Sequence, residues 1–428
     1  KVKLGKAVQI ALNQVVGAYA IAVFDKKKPD EIVVAKLGSP LAIGVGEEEF
    51  FIASDASPFL EYTKKAIYLE DEEMAIVRLK KGVKIRKIKN DSLVAPYIQE
   101  LKINLEQIEK GGYEHFMLKE IHEQPVLIKK LIEHYLEGEG KKHLSSLSSD
   151  FPYIHIAACG TALHAGMVLK NYFEKINSIR VHSDFGSEFR YKNPVLNGDE
   201  MGLFISQSGE TADTLACQEL CKEHGLKTYS IVNVEGSTLF RNCDANFLIK
   251  AGIEIGVAST KAFTQQVLTG LLMSMSMAGK LDDQALKSEL STLADRIDEI
   301  LLRTEEIKTI AQEIYQHNGF IFTGRGDQFP IALEGALKLK EIAYVHAEGY
   351  AAGELKHGPI SLIDENMVNI AIVTPDLYDK TLSNAQEVKA RRGIMMIVGE
   401  EGNKELEEIS DHFFGLNFKG LSHTSPVL

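Results

Sequence analysis

The sequence predicts an α/β protein with two doubly wound parallel sheets, preceded by a strand-rich segment. Three observations carry that prediction. From Tyr153 onward, short apolar strands alternate with helical stretches, the pattern of a parallel sheet covered on both faces. The strands Tyr153–Ala158, Leu203–Ile205 and Thr228–Val232 recur as Phe320–Thr323, Asn369–Val373 and Ile394–Val398, each shifted by about 166 residues. Residues 1–91 differ in texture, with short β-branched runs divided by Gly- and Pro-containing turns.

Composition agrees. The 428 residues suggest about three domains. With 45% apolar and 25% charged residues, the chain is neither disordered nor fibrous. A formal charge of −12 argues against a nucleic-acid partner, which needs clustered excess Lys and Arg. No apolar run approaches the ~20 residues of a membrane-crossing helix. Four cysteines, Cys159, Cys217, Cys221 and Cys243, fit neither a disulfide scaffold nor a paired zinc site, so a reducing, cytoplasmic setting without metal or cofactor is expected.

Taken in order, Ala18–Phe24 and Glu31–Ala35 read as a hairpin around Lys28-Pro29-Asp30, with further strands at Phe50–Ser54 and Ala75–Leu79. Residues 92–145 form a helical segment, with apolar residues at helical spacing in His115–Ile121 and Val126–Leu136, and Lys141–Ser149 reads as a polar linker. The first α/β domain is expected over 146–284. A helical connector is expected near Asp282–His317, and the second domain spans 311–428.

Three clusters carry candidate chemistry. Ser206-Gln207-Ser208-Gly209-Glu210-Thr211 comes after a buried-looking strand and precedes the helix expected at Asp213–His224. Hydroxyls and close backbone at a strand-to-helix junction suit a phosphate. Cys159-Gly160-Thr161 and Gly256-Val-Ala-Ser259-Thr-Lys261 are junctions of the same kind, the latter opening a helix over Ala262–Met277. Gly324-Arg-Gly326-Asp-Gln-Phe329 lacks the third glycine of a dinucleotide fingerprint, which argues against a nicotinamide enzyme. On the helix expected over Pro330–Ala347, Glu334, Lys338 and Glu341 fall at i, i+4 and i+7, so they share one narrow face among apolar residues. A carboxylate beside an ammonium can move a proton with a tuned pKa. His357, in the Gly353–Pro359 loop, is placed to act as acid or base near neutrality.

Long motifs then tie the chain to a family. Ser206–Thr211, Glu254–Lys261, Gly324–Gln328, Ala332–Glu341 and Ala352–Pro359 resemble the glutamine–fructose-6-phosphate aminotransferases (isomerising). Gly38–Gly44, Phe51–Asp55 and Lys119–Pro125 are similar to the later part of their glutaminase domain and the segment C-terminal to it. The resemblance implies two sugar-isomerase (SIS) domains preceded by part of an N-terminal-nucleophile (class II) glutamine amidotransferase domain, here within 1–91. It implies fructose 6-phosphate and L-glutamine as substrates and glucosamine 6-phosphate as product. By the same resemblance Ser206, Gln207, Ser208 and Thr211 hold the sugar phosphate, while Thr161, Val257 and Ser259 complete the pocket. Glu341 moves the proton between C1 and C2, Lys338 and Glu334 assist it, and His357, supplied by the partner of a homodimer, helps to open the ring.

The chain departs from the family at three places. Its first residue is Lys1, with no N-terminal cysteine nucleophile; no tail lysine comes after Pro426; and Ala162 stands where members commonly carry serine. Missing sequence at both ends is therefore expected. The competing readings are a sugar-phosphate sensor of the same fold and a stand-alone phosphosugar isomerase or deaminase.

Overall fold

The structure, a computed structural model, describes residues 2–54, 56–101 and 109–428. Asp55 of the Phe51–Asp55 motif, and residues 102–108 of the segment read as helical, lie outside the described residues. The chain divides into two compact units, residues 1–113 with 210–212, and residues 114–209 with 213–428.

The first unit is antiparallel. One sheet runs in the order Tyr19–Asp25, Lys28–Leu37, Glu73–Arg78, Gly82–Lys87, Leu93–Val94; the other runs Phe50–Ala53, Ala42–Val45, Lys65–Tyr68, Gln99–Glu100. Alternation along Lys28–Leu37 sends Val34 into the cluster with Ile43 and Ile67 of the second sheet. Val33 and Ala35 go to the opposite face, against Val8 and Leu12 of the helix Leu4–Leu12. The hairpin turn lies at Lys26-Lys27 rather than at Lys28–Asp30. Asp25 accepts the Lys27 N–H at 2.9 Å, closing a local turn, and Pro29 falls in the irregularity between the Asp25–Lys28 and Phe24–Ile32 pairs. A bulge is where a strand can hold a proline.

In the second unit, the helix Phe116–Leu136 runs unbroken through Pro125. The Ile121 carbonyl, which Pro125 cannot satisfy, accepts instead from Gln124 Nε2 at 3.1 Å. The segment read as a polar linker begins as a short helix, Gly140–Ser145, because Leu144 is fully buried in the core.

Beyond it lie two five-stranded parallel sheets. The first has the order Arg180–Phe185, Tyr153–Ala158, Met201–Ser206, Lys227–Val232, Ala245–Leu248; the second has the order His346–Ala351, Gly319–Gly324, Met367–Val373, Ile394–Glu400, His412–Leu416. The order is the same in both, so the repeat read from three strands extends to all five. Along Tyr153–Ala158, Ile154, Ile156 and Ala158 join the core made with helices Thr161–Asn177 and Lys261–Met277. Ala157 faces the other way, toward Phe204, Cys217 and Cys221. Both faces are covered, which makes the fold doubly wound. Helices Gln284–Leu301 and Thr304–Ile314 connect the two halves, the first capped by Asp283, which accepts from the N–H groups of Ala285 and Leu286 at 2.7 and 3.2 Å.

The helix bearing the carboxylates is Phe329–Ala343, four residues shorter than expected at its C-terminal end. Tyr344 turns left-handed, φ 56°, and the chain enters the edge strand His346–Ala351. A Cβ on Gly349 would stand 2.7 Å from the Leu333 backbone, so glycine lets this strand lie against the helix.

Candidate active site

In an open parallel sheet with this strand order, ligands bind beyond the carboxyl ends of the strands, where the order reverses. In the first sheet that point lies between Tyr153–Ala158 and Met201–Ser206, paired through Ala158 and Ile205. Cys159-Gly160-Thr161 leaves one strand and Ser206-Gln207-Ser208-Gly209 the other, so two of the hydroxyl-bearing junctions are neighbours. Ser206 is buried, and its Oγ accepts the Gly209 N–H at 3.0 Å, which tightens the turn. Gly209 has φ +69°, and a Cβ there would stand 2.0 Å from Ser237 Oγ, so any other residue would be strained and would have to displace Ser237. Thr211 falls with residues of the first unit.

The third junction is held from within. The Glu254 carboxylate accepts from Ser259 Oγ at 2.8 Å and from the N–H groups of Thr260 and Ala262 at 2.8 and 3.3 Å, capping the helix Lys261–Met277. Val257 projects from this loop and is 88% exposed.

The charged stripe meets the first domain at Thr161. Lys338 Nζ lies 3.1 Å from Glu334 and 2.9 Å from Glu341, and donates to Thr161 Oγ1 at 3.0 Å. Thr161 Oγ1 donates in turn to Glu334 at 2.9 Å, and His164 Nδ1 lies 2.7 Å from the other Glu334 oxygen. Five side chains from two domains thus form one connected network, in which sequence reasoning found Thr161, Glu334, Lys338 and Glu341 and missed His164. The signal for His164 was its place three residues after Thr161, on the same face of the first helical turn.

The two carboxylates have unlike surroundings. Glu334 is buried and accepts from three partners. Burial alone would push its carboxyl up; the His164 hydrogen bond and the Lys338 charge outweigh it and hold the group below the ordinary carboxylate value. Glu341, one-third exposed with the ammonium as its partner, has an oxygen to offer a substrate. The arrangement can orient an ammonium between two carboxylates and transfer a proton through the outer one.

His357 lies in the 3-10 turn Ala352–His357 and is exposed; no hydrogen bond or ion pair joins it to this network among the described residues. Burial pushes the Cys217, Cys221 and Cys243 thiols up to about 12, which disfavours the thiolate. Among the described residues no group of His, Cys, Asp and Glu is arranged to hold a metal, and no helix is long and apolar enough to cross a membrane. A cleft of about 930 Å³ lies at the carboxyl ends of the second sheet, lined among others by Arg325, Asp327, Thr374 and Glu400, and a cavity of about 310 Å³ reaches Glu334 and Lys338.

Fold and site together define a tandem sugar-isomerase-type protein, and the family model described as SIS domain matches residues 151–276 and 313–418. The chain is 44% identical, over 96% of its length and 69% of the relative's, to glutamine–fructose-6-phosphate aminotransferase (isomerising) of Bacteroides thetaiotaomicron. It is 46% identical to that of Chlorobaculum tepidum, over 95% of this chain and 68% of the relative. A solved structure, the C-terminal domain of glucosamine-fructose-6-phosphate aminotransferase from Francisella tularensis, superimposes with a TM-score of 0.65 at 39% identity, covering 74% of this chain and 93% of that one. The chain belongs to the glutamine–fructose-6-phosphate aminotransferase (isomerising) family.

Proposed function

We propose that this chain carries out the glutamine-dependent conversion of fructose 6-phosphate to glucosamine 6-phosphate, with residues 1–91 contributing part of the glutaminase domain and the domains over 146–284 and 311–428 handling the sugar. The observation that carries this reading is the network joining Glu341, Lys338 and Glu334 to Thr161, beside the Ser206–Ser208 turn. A sensor needs only the hydroxyl-lined turn. The charged stripe is superfluous to it, and the aminotransferase name is shared by relatives across nearly the whole chain.

In this reading Ser206, Gln207, Ser208 and Thr211 hold the phosphate, and Thr161, Val257 and Ser259 line the sugar. A phosphate anchored away from the reacting carbons supplies binding energy and orientation. His357 of a partner subunit in a homodimer helps to open the ring; ammonia, released by hydrolysis of glutamine to glutamate, condenses with the C2 carbonyl and expels its oxygen as water. Glu341 then takes the proton from C1 and returns it at C2, while Lys338 stabilises the intervening negative charge and Glu334 fixes Lys338. The protein works in the cytoplasm, without metal or cofactor.

The test is Glu341→Gln. Turnover should fall by about 10²–10⁴-fold, the usual worth of a positioned acid–base group, while fructose 6-phosphate binding by calorimetry stays within about two-fold. Equal loss of turnover and binding would make Glu341 structural and defeat the reading.

A further inference from the structure

The segment Lys119-Glu120-Ile121-His122-Glu123-Gln124-Pro125 has no part in the chemistry above, yet it holds a charged group in an unusual place. Glu120 is 2% exposed. Its Oε1 accepts the N–H groups of Ile255 and Gly256 at 2.5 and 3.0 Å, and its Oε2 is buried without a hydrogen-bond partner among the described residues. Burial pushes the carboxyl above its ordinary value in spite of the two N–H donors. Burying a carboxyl costs free energy unless hydrogen bonds offset it, and both of the bonds that Glu120 makes go to one stretch of backbone.

What it holds is the start of the loop that carries Val257 and Ser259. The contact belongs to a row along one face of the helix Phe116–Leu136. Glu123 accepts from Lys261 Nζ at 2.6 Å, Gln124 Oε1 accepts from Thr264 Oγ1 at 2.5 Å, and the Leu127 carbonyl accepts from Gln265 Nε2 at 3.0 Å. Positions 120, 123, 124 and 127 lie at the spacing of a single helical stripe. The last three fasten the helix Lys261–Met277; Glu120 alone of the four reaches the loop before it. The fit is close, since a Cβ on Gly256 would stand 2.6 Å from Glu120 Oε2.

We propose that Glu120 is a positioning residue of the sugar pocket, fixing the backbone of Ile255 and Gly256 and through it the placement of Val257 and Ser259 against the substrate. The proposal rests on the reading that this loop lines the sugar. It assigns the Lys119–Pro125 segment, outside both SIS domains, a part in sugar affinity.

The experiment compares Glu120→Ala, Glu120→Gln and Ser208→Ala by steady-state kinetics and by calorimetric titration with fructose 6-phosphate. Glu120→Ala should raise KM and Kd about ten-fold with kcat within about two-fold, the signature of lost uniform binding. Glu120→Gln keeps an accepting oxygen and should restore KM to within about three-fold of the parent. If Glu120→Ala does not fold, Gly256→Ala, which presses on the same carboxylate, should give the same KM signature. Unchanged KM and Kd, a fall in kcat alone, or no rescue by glutamine would overturn the proposal. Should Ser208→Ala also leave Kd unchanged, the site reading itself fails; should Ser208→Ala weaken binding while Glu120→Ala does not, only the role of Glu120 falls.

Discussion

Glu334 and Glu341 sit seven residues apart on one helix, and their chemistry diverges because their neighbours differ. Glu334 spends its lone pairs on Thr161, His164 and Lys338, whereas Glu341 has Lys338 as partner and an open side. His164→Ala should therefore remove one donor from Glu334, loosen its grip on Lys338, and lower kcat about ten-fold with little change in KM, as steady-state kinetics would show. In the proposed reading, Ser208→Ala acts on the other end of the substrate. Losing one hydrogen bond to a charged phosphate costs about 1.5–3 kcal/mol, a ten-fold or greater rise in Kd by calorimetry. Glu334, Lys338 and Glu341 were legible in the sequence because helical spacing alone puts them on one face. His164 offered only its place three residues after Thr161, because its partner lies 170 positions away and the packing of two domains brings them together.

Among the elements, the turn after Met201–Ser206 is the most constrained. With φ at +69° and Ser237 Oγ in the space a Cβ would need, Gly209→Ala combines backbone strain with a clash. It should cost about 2 kcal/mol or more in denaturant unfolding and weaken sugar-phosphate binding with it; an unchanged midpoint would show the turn to be adaptable. Central strands were readable, since Ile154, Ile156, Leu203 and Ile205 are buried on a sheet covered on both sides. Edge strands were not. Arg180–Phe185 and His346–Ala351 carry polar and exposed residues, and nothing in their pattern marks a strand. The same lack of signal carried the expected helix to Ala347, past Tyr344, where a left-handed turn leads into the strand whose Gly349 packs on Leu333.

At the scale of the whole molecule, a buried carboxylate helps to tie the C-terminal stretch of the chain to the connector between the sugar-isomerase domains, beside Arg296, which donates to the Asn417 and Lys419 carbonyls at 2.6 and 2.7 Å. Glu289, buried on the helix Gln284–Leu301, accepts from the N–H groups of His423 and Thr424 at 3.0 and 3.1 Å and from Thr424 Oγ1 at 3.1 Å. Burial would raise its carboxyl, yet the His423 side chain and these N–H groups bring it down from 4.5 to about 2. A depressed carboxyl stabilises the fold in full above its ordinary value and loses that contribution as pH falls toward 2. Thermal midpoints measured from pH 5 downward should therefore drop less steeply in Glu289→Gln than in the parent, from a lower start; parallel curves would show that the carboxylate contributes nothing. The proposed exchange of His357 between subunits has its own test. Glu341→Gln and His357→Ala, each inactive alone, should recover about a quarter of parental activity when mixed and refolded, because mixed dimers hold one intact site; no recovery would place His357 in its own subunit's site.

A crystal structure with fructose 6-phosphate would show where the sugar phosphate lies. The phosphate should accept hydrogen bonds from Ser206, Ser208 and the N–H groups of their turn, with C1 and C2 within reach of Glu341. A phosphate lodged instead beside Arg325, in the cleft at the carboxyl ends of the second sheet, would place the sugar site in the other domain and remove Ser206, Ser208 and Glu341 from it.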